Sequence, residues 1–288
     1  MKIKSLQIRH RIGYSLNITI QLMHFAMEKI KSNTILFITG AFVGHNIWDS
    51  WKHYFENKGF NVSVPCWPFK DAPPEVLRNR HPDSEIASLR LEKLLCFYEQ
   101  QIKMLPEKPI LIGHSLGGLM VQLLVQKDLA EAGIAIHSMP PFGVMTAKFS
   151  FLRLVFWPLG LFTSLRESYM MSFVEWQYAV TNGMSQQQQK DWYYEFAVPE
   201  SKMLLRDTLT TMAKINFKKP HAPLLFISGN NDQLTPASLN NKNSRKYQHS
   251  GSVTEYKEFP GRNHFILGQV TWKEEAGFIC DWIRKQST

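Results

Sequence analysis

Apolar residues along this chain follow two rhythms, and their alternation predicts the architecture. Three short runs are almost continuously apolar and end in turn residues: 34–38 before Thr39-Gly40, 109–112 before Gly113, and 223–227 before Ser228-Gly229. Runs of that length, bounded by glycine or proline, predict strands buried on both faces of a parallel sheet. A fourth run, 253–259, alternates apolar with polar residues and predicts a strand nearer the sheet edge; 61–64 and 134–137 are weaker strand candidates. Between these runs the period lengthens. Ile86, Leu89, Leu94, Phe97, Tyr98, Ile102 and Leu105 fall largely on one helical stripe, with Asp83 or Ser84 as its cap and Pro106 as its stop. Leu116, Leu119, Met120, Leu123 and Leu124 repeat the pattern, and 272–283 reads as a closing helix. Strands alternating with helices imply βαβ units: an α/β fold with a mostly parallel, doubly wound sheet.

Residues from about 143 to 216 break the alternation. They are rich in Phe, Trp, Tyr and Met, lack buried-strand runs, and include a polar tract, Gln186 to Gln189, with no evident chemistry. An all-helical insertion is expected there. The chain then divides into an N-terminal extension (1–33), a core (34–142 and 217–288) and the insertion (143–216).

Composition narrows the function classes. Cys66, Cys96 and Cys280 are odd in number and widely scattered, so neither a disulfide framework nor a zinc site is expected. The formal charge of +9 is spread along the chain. Its densest basic stretch, 241–246, has no interleaved aromatics to stack bases, so a nucleic-acid partner is not expected and a solvated face or weak contact with an anionic membrane surface is. Lys2, Lys4, Arg9 and Arg11 precede an uncharged stretch that loosely imitates a signal peptide. Ser15, Asn17, Thr19, Gln21 and His24 interrupt it and no Ala-x-Ala pattern closes it, so a cytoplasmic protein is expected.

The chemistry is concentrated in Gly113-His114-Ser115-Leu116-Gly117-Gly118, which joins an apolar run to a periodic helix. A Gly-x-Ser-x-Gly sequence in that context predicts a tight, strained strand-to-helix turn with Ser115 exposed as a nucleophile. Gly113 and Gly117 must lack side chains because backbones crowd there. A serine needs a base and the base an orienting acid. His264 follows the last predicted strand and Asp232 follows the one before, so the order Ser115, Asp232, His264 places all three at carboxyl ends of parallel strands. His45, His53, His81, His137 and His221 read as surface or satisfied polar residues, His114 as filler facing away from the nucleophile, and Glu255 and Glu258 as solvent-facing strand residues. An oxyanion hole needs two backbone donors. Leu116 supplies one, and the loop Thr39 to Gly44 the other, with Ala41 the first choice and Phe42 the second.

At these residues the chain resembles the α/β-hydrolase superfamily, particularly small serine carboxylesterases and lipases. Gly40 to Trp48 looks like their oxyanion loop, Gly113 to Gly118 like their nucleophile elbow, Gly229 to Pro236 like their acid loop and Gly261 to Phe265 like their histidine loop. Thr39 departs from the pattern, standing where the family often has histidine. The resemblance implies a catalytic triad of Ser115, Asp232 and His264, a helical cap at 143–216 and no metal or organic cofactor. It implies hydrolysis of a small-molecule ester through an acyl-enzyme. The dense apolar stretch 149–162 suggests medium-chain acyl groups. Acyl transfer, thioester cleavage or carbon–carbon bond hydrolysis would use the same triad, and a non-catalytic ligand-binding relative is the alternative of another class.

Overall fold

The computed structural model describes residues 29–145 and 163–287. Most of the expected N-terminal extension and the apolar stretch 149–162 lie outside the described residues. Six strands, β1 (Thr34–Ile38), β2 (Asn61–Ser63), β3 (Ile110–His114), β4 (Ala132–Ile136), β5 (Leu224–Gly229) and β6 (Thr254–Phe259), form one sheet in the order β2-β1-β3-β4-β5-β6. Every neighbouring pair is parallel. All four strands expected from the stronger runs are present, as are both weaker ones. β6 closes one side of the sheet with only Phe259 buried, as its place at the sheet edge predicts.

Period-two geometry sorts the strand side chains onto two cores. Ile35, Phe37, Ile110, Ile112, Ile134, Ile136, Leu225 and Ile227 pack with Trp48, Trp51, Phe55, Ile279 and Ile283. That face carries α1 (Asp49–Asn57). Leu36, Ile38, Leu111, Ala135, Leu224 and Phe226 belong to the opposite core with Leu94, Tyr98, Leu119 and Leu123. Two short helices, α2 (Pro74–Asn79) and α3 (Ser84–Ala87), lead to α4 (Leu91–Lys103), and α5 (Leu116–Gln126) is buried along almost its whole length. Sheet faces covered on both sides are what the continuous apolar runs require.

The stripe expected to make one helix over 84–105 makes two, α3 and α4. Asp83 does cap the first, accepting from the N–H groups of Glu85 and Ile86 at 2.9 and 3.0 Å. At the break, the Ser201 hydroxyl lies 3.0 Å from the Ala87 carbonyl and 2.7 Å from the Leu89 carbonyl. Arg90, extended at φ −126° and ψ 153°, grips Asp207 through Nε and Nη2 at 2.7 and 2.6 Å. Distant residues thus take the groups that a continuous helix would have used internally.

Between β4 and β5 the described residues form α6 (Phe173–Ala179), α7 (Gln186–Phe196), α8 (Lys202–Asp207) and a 3₁₀ turn (Thr211–Ala213). The polar tract has a structural use: Ser185 and Gln188 form a reciprocal capping box that starts α7. After β5 come α9 (Ala237–Ser244) and, after β6, α10 (Trp272–Ser287), which packs on α1. No helix among the described residues is long and apolar enough to cross a membrane.

Candidate active site

The strand register brings Ile38, Gly113 and Ala135 side by side, with Ile136 against His114 on one side and Ile227 on the other. The segments that follow these strands therefore emerge at one sheet edge, around the point where β1 lies between β2 and β3 and the strand order reverses.

Ser115 stands between β3 and α5 with φ 57° and ψ −116°, a conformation that costs a non-glycine residue about 1–3 kcal/mol and persists only where its surroundings enforce it. Its N–H donates to the Ile136 carbonyl at 2.9 Å, and its own carbonyl accepts from Met139 at 2.9 Å and Gly118 at 3.0 Å. A Cβ on Gly113 would lie 2.3 Å from the Gly117 carbonyl oxygen, and one on Gly117 would lie 2.1 Å from that of Ile38. The turn closes only because both positions lack side chains, as the motif requires.

Asp232 follows β5 and is buried. Its Oδ1 accepts from the N–H groups of Leu234 and Thr235, each at 2.8 Å; its Oδ2 accepts from the Thr235 hydroxyl and from His264 Nδ1, also at 2.8 Å. Because a carboxylate only accepts, His264 carries a proton on Nδ1; in the neutral ring this places the lone pair on Nε2, the tautomer that a general base needs. Burial opposes the charge on Asp232, but His264 and His137 outweigh it and hold the carboxyl well below the usual carboxylate range. The His264 loop is braced by the insertion: Asn263 Nδ2 donates to the Asn182 carbonyl at 2.8 Å and the Phe265 N–H to that of Val180 at 2.9 Å. Ser115 and His264 line the same cavity.

Two other histidines correct the expectations. His114 does not face away: it lines that cavity, its ring is 4.7 Å from the His264 ring, and its Nε2 donates to the His264 carbonyl at 2.9 Å. As the last residue of β3 it anchors the histidine loop across the sheet edge. His137 is fully buried, with φ 46°, and its Nδ1 lies 2.7 Å from Asp232 Oδ2. Burial, then the neighbouring imidazoles, pushes His114 well below the ordinary histidine value; burial also lowers His137, against the pull of Asp232. The readable signal for His137 was its place at the end of a weak strand candidate, on the edge where Ser115 emerges. His114, His137 and His264 each offer one nitrogen within 4.8 Å of the others, a spacing that a metal could exploit. His264 Nδ1 and His114 Nε2 are already engaged by hydrogen bonds, so the set reads first as a hydrogen-bonded cluster around Asp232.

The loop after β1 abuts the serine. A Cβ on Gly40 would meet the His114 carbonyl oxygen at 2.9 Å and Ser115 Cβ at 3.1 Å. Phe42, with φ 66°, donates its N–H to Glu200 Oε2 at 3.2 Å, which directs that donor away from the cavity and leaves Ala41 as the better-placed residue. Glu200 is fully buried and pairs with Lys70 at 2.6 Å. Neither residue carried a sequence signal. Ala41 lines the cavity, while Leu116 opens α5 immediately behind Ser115.

The cavity, about 1000 Å³ with its mouth included, is walled by Phe42, Val43, Met139, Met171, Trp176, Leu205, Leu209, Phe265 and Leu267 among others. Among the described residues its lining contains no lysine, arginine, aspartate or glutamate.

No curated protein matches the sequence. Solved structures do match in shape. A monoacylglycerol lipase of Paleococcus ferrophilus superposes with a TM-score of 0.63 at 20% identity, over 88% of this chain and 95% of that one. An Arabidopsis methylesterase gives 0.61 at 15% identity, over 87% and 98%. Tomato methylketone synthase I, complexed with 2-tridecanone, gives 0.62 at 15% identity, over 88% and 99%. At these identities the likeness is one of fold. The profile of the alpha/beta hydrolase family matches residues 35–272, and the chain belongs to that family.

Proposed function

We propose that the protein is a serine hydrolase that cleaves carboxylic esters of uncharged, apolar acyl groups through an acyl-enzyme on Ser115. The observation that carries this reading is a strained serine at the end of β3 sharing a cavity with a histidine whose Nδ1 is bound by a buried carboxylate. In this mechanism His264 Nε2 removes the Ser115 proton as the hydroxyl oxygen attacks the ester carbonyl. Asp232 fixes the imidazole tautomer and stabilises the imidazolium. The N–H groups of Ala41 and Leu116 stabilise the oxyanion; loss of one such donor typically costs about 2.7–4 kcal/mol of transition-state stabilisation. The tetrahedral intermediate collapses, His264 protonates the departing alcohol, and water, deprotonated by His264, releases the acid.

The cavity wall supports the substrate class. Against the described lining a carboxylate or ammonium group would lose hydration without meeting a lysine, arginine or carboxylate, whereas an alkyl or aryl group gains roughly 25 cal/mol for each Å² of apolar surface removed from water. Among the structural neighbours, one is named a lipase, one a methylesterase, and a third holds 2-tridecanone, an apolar ketone. The residues between β4 and β5 supply Met171, Trp176 and Leu205 to the wall, the last two from helices, which suits a cap that selects the acyl group.

A fluorophosphonate probe followed by peptide mapping is expected to label Ser115 alone, and turnover of p-nitrophenyl esters is expected to rise from acetate toward medium-chain acyl groups. Ser115→Ala removes both signals. Undiminished ester turnover in that variant would overturn the assignment of the nucleophile.

A further inference from the structure

Asp232 is approached by two histidines, and the mechanism just given uses one. His264 Nδ1 reaches Asp232 Oδ2 at 2.8 Å from the loop after β6; His137 Nδ1 reaches the same oxygen at 2.7 Å from the end of β4. Thr235 ties the two sides together, its hydroxyl lying 2.8 Å from Oδ2 and 2.8 Å from the His137 carbonyl. We propose that His137 is a positioning residue for the Asp232–His264 pair, its Nδ1–H sharing the carboxylate oxygen that orients the catalytic imidazole. The inference rests on the serine-hydrolase reading and extends it.

Electrostatics assigns the proton. A bare nitrogen lone pair 2.7 Å from a carboxylate oxygen would be repelled, so Nδ1 of His137 carries hydrogen. The contact is short, but the ring N–H points off the line to Oδ2, so in this structure it is a close charge–dipole approach and not a formed hydrogen bond. Hydrogen bonds of catalytic groups are often misaligned before substrate binds and tighten in the reacting complex. The site is also expensive to build. His137 is fully buried at positive φ, and neither of its ring nitrogens has a formed hydrogen bond among the described residues. Strain and an unpaired buried nitrogen concentrated on one residue mark a position where local stability gives way to function.

The consequence concerns the basicity of Oδ2. Donors on this oxygen draw electron density from it and stop Asp232 from taking the proton of His264 during the reaction. They also moderate how strongly the carboxylate favours the imidazolium. The titratable groups described around the pair are His137 from β4 and His114 from β3, both kept neutral by burial, so the donor arrangement varies little across the working pH range. Without the His137 donor, Oδ2 attracts the His264 imidazolium more strongly. The neutral ring that serves as the base is then disfavoured relative to the imidazolium.

Two variants test this. Phenylalanine at 137 keeps a ring but supplies no donor; asparagine places its Nδ2 near the position of the histidine Nδ1. For p-nitrophenyl ester turnover, His137→Phe is expected to lower kcat about tenfold, the value of one hydrogen bond to a charged group, with KM little changed. Its acid limb of kcat/KM moves to higher pH. His137→Asn is expected to recover most of kcat and return the limb toward that of the parent protein. Circular dichroism and melting temperature report folding, and a misfolded phenylalanine variant leaves the asparagine profile as the deciding measurement. If both variants keep the parent profile, or lose activity equally without a shift of the acid limb, His137 has only a packing role. Dependence of turnover on Ser115 and His264 in the parent protein is the separate check on the hydrolase reading, so the two ideas fail independently.

Discussion

A β-carbon on Gly117 would stand 2.1 Å from the Ile38 carbonyl oxygen and 2.9 Å from that of Thr39, both backbone atoms of a central strand end. No side-chain rotation relieves such an overlap. Gly59 offers the contrast: at φ 91° a Cβ there would meet nothing within 4 Å. Gly117→Ala is therefore expected to destabilise the protein by about 3 kcal/mol or more, at the upper end of overpacking effects, and to displace Ser115. Gly59→Ala should cost only about 1–2 kcal/mol, the backbone strain of a left-handed residue. Urea unfolding of the two variants separates the effects. Equal midpoints would mean that the crowding at the serine turn has been misjudged. The same comparison shows why the motif was legible: the requirement lies in the sequence itself, since glycine is the only residue that fits.

At the scale of elements, the loop after β1 is held from outside the sheet. Val198 donates its N–H to the Phe42 carbonyl at 2.9 Å, Gly44 donates to the Phe196 carbonyl at 3.0 Å, and buried Glu200 takes the Phe42 N–H while pairing with Lys70. Lys70 is nearly as buried and stands over the Trp67 ring at 4.6 Å. Breaking one partner of such a pair typically costs about 3–5 kcal/mol because the other charge is left buried. Glu200→Leu is expected to lose about that much in thermal and urea unfolding, and adding Lys70→Met to recover most of it. The double variant still lacks an acceptor for Phe42, so its ester turnover should stay low after stability returns. Recovery of both together would show that the pair serves stability alone. Nothing in the sequence announces this clamp, since Lys70 and Glu200 are 130 positions apart and neither belongs to a periodic pattern. The single helix expected over 84–105 fails for a related reason. Its apolar stripe is real, but Ser201 and Asp207 reach in from the insertion and break it. What was legible is what local spacing dictates: buried runs, cap residues, and glycines around the serine. His114 and His137 were misread because burial at a strand end is decided by neighbouring strands, not by neighbouring residues.

For the molecule as a whole, buried imidazoles set the response to acid. A histidine in the unfolded chain titrates near about 6.5. In the fold, His81, His114, His137 and His221 all titrate lower, each chiefly through burial. Below the unfolded value the unfolded chain therefore binds more protons than the native one, and stability falls as pH falls. Asp232 acts in a later window. Its folded value lies well below the ordinary one, so its contribution is complete above about pH 4 and disappears as pH drops toward the folded value. Glu275, raised by burial against the pull of Arg262, opposes the loss, but only in the carboxylate range. The net charge of +9 at neutrality pushes the same way as the histidines, because each further proton adds to self-repulsion. The melting temperature is thus expected to decline between about pH 7 and 5, before most carboxylates titrate. His221→Asn, which alters a histidine that does not line the Ser115 cavity, should flatten part of that decline while ester turnover is unaffected. A melting temperature constant across the interval would mean that these histidines take up protons as readily in the native protein as in the unfolded chain. That would contradict the burial that keeps the lone pairs around Asp232 unprotonated, and with it the electrostatic setting that the proposed role of His264 as a base requires.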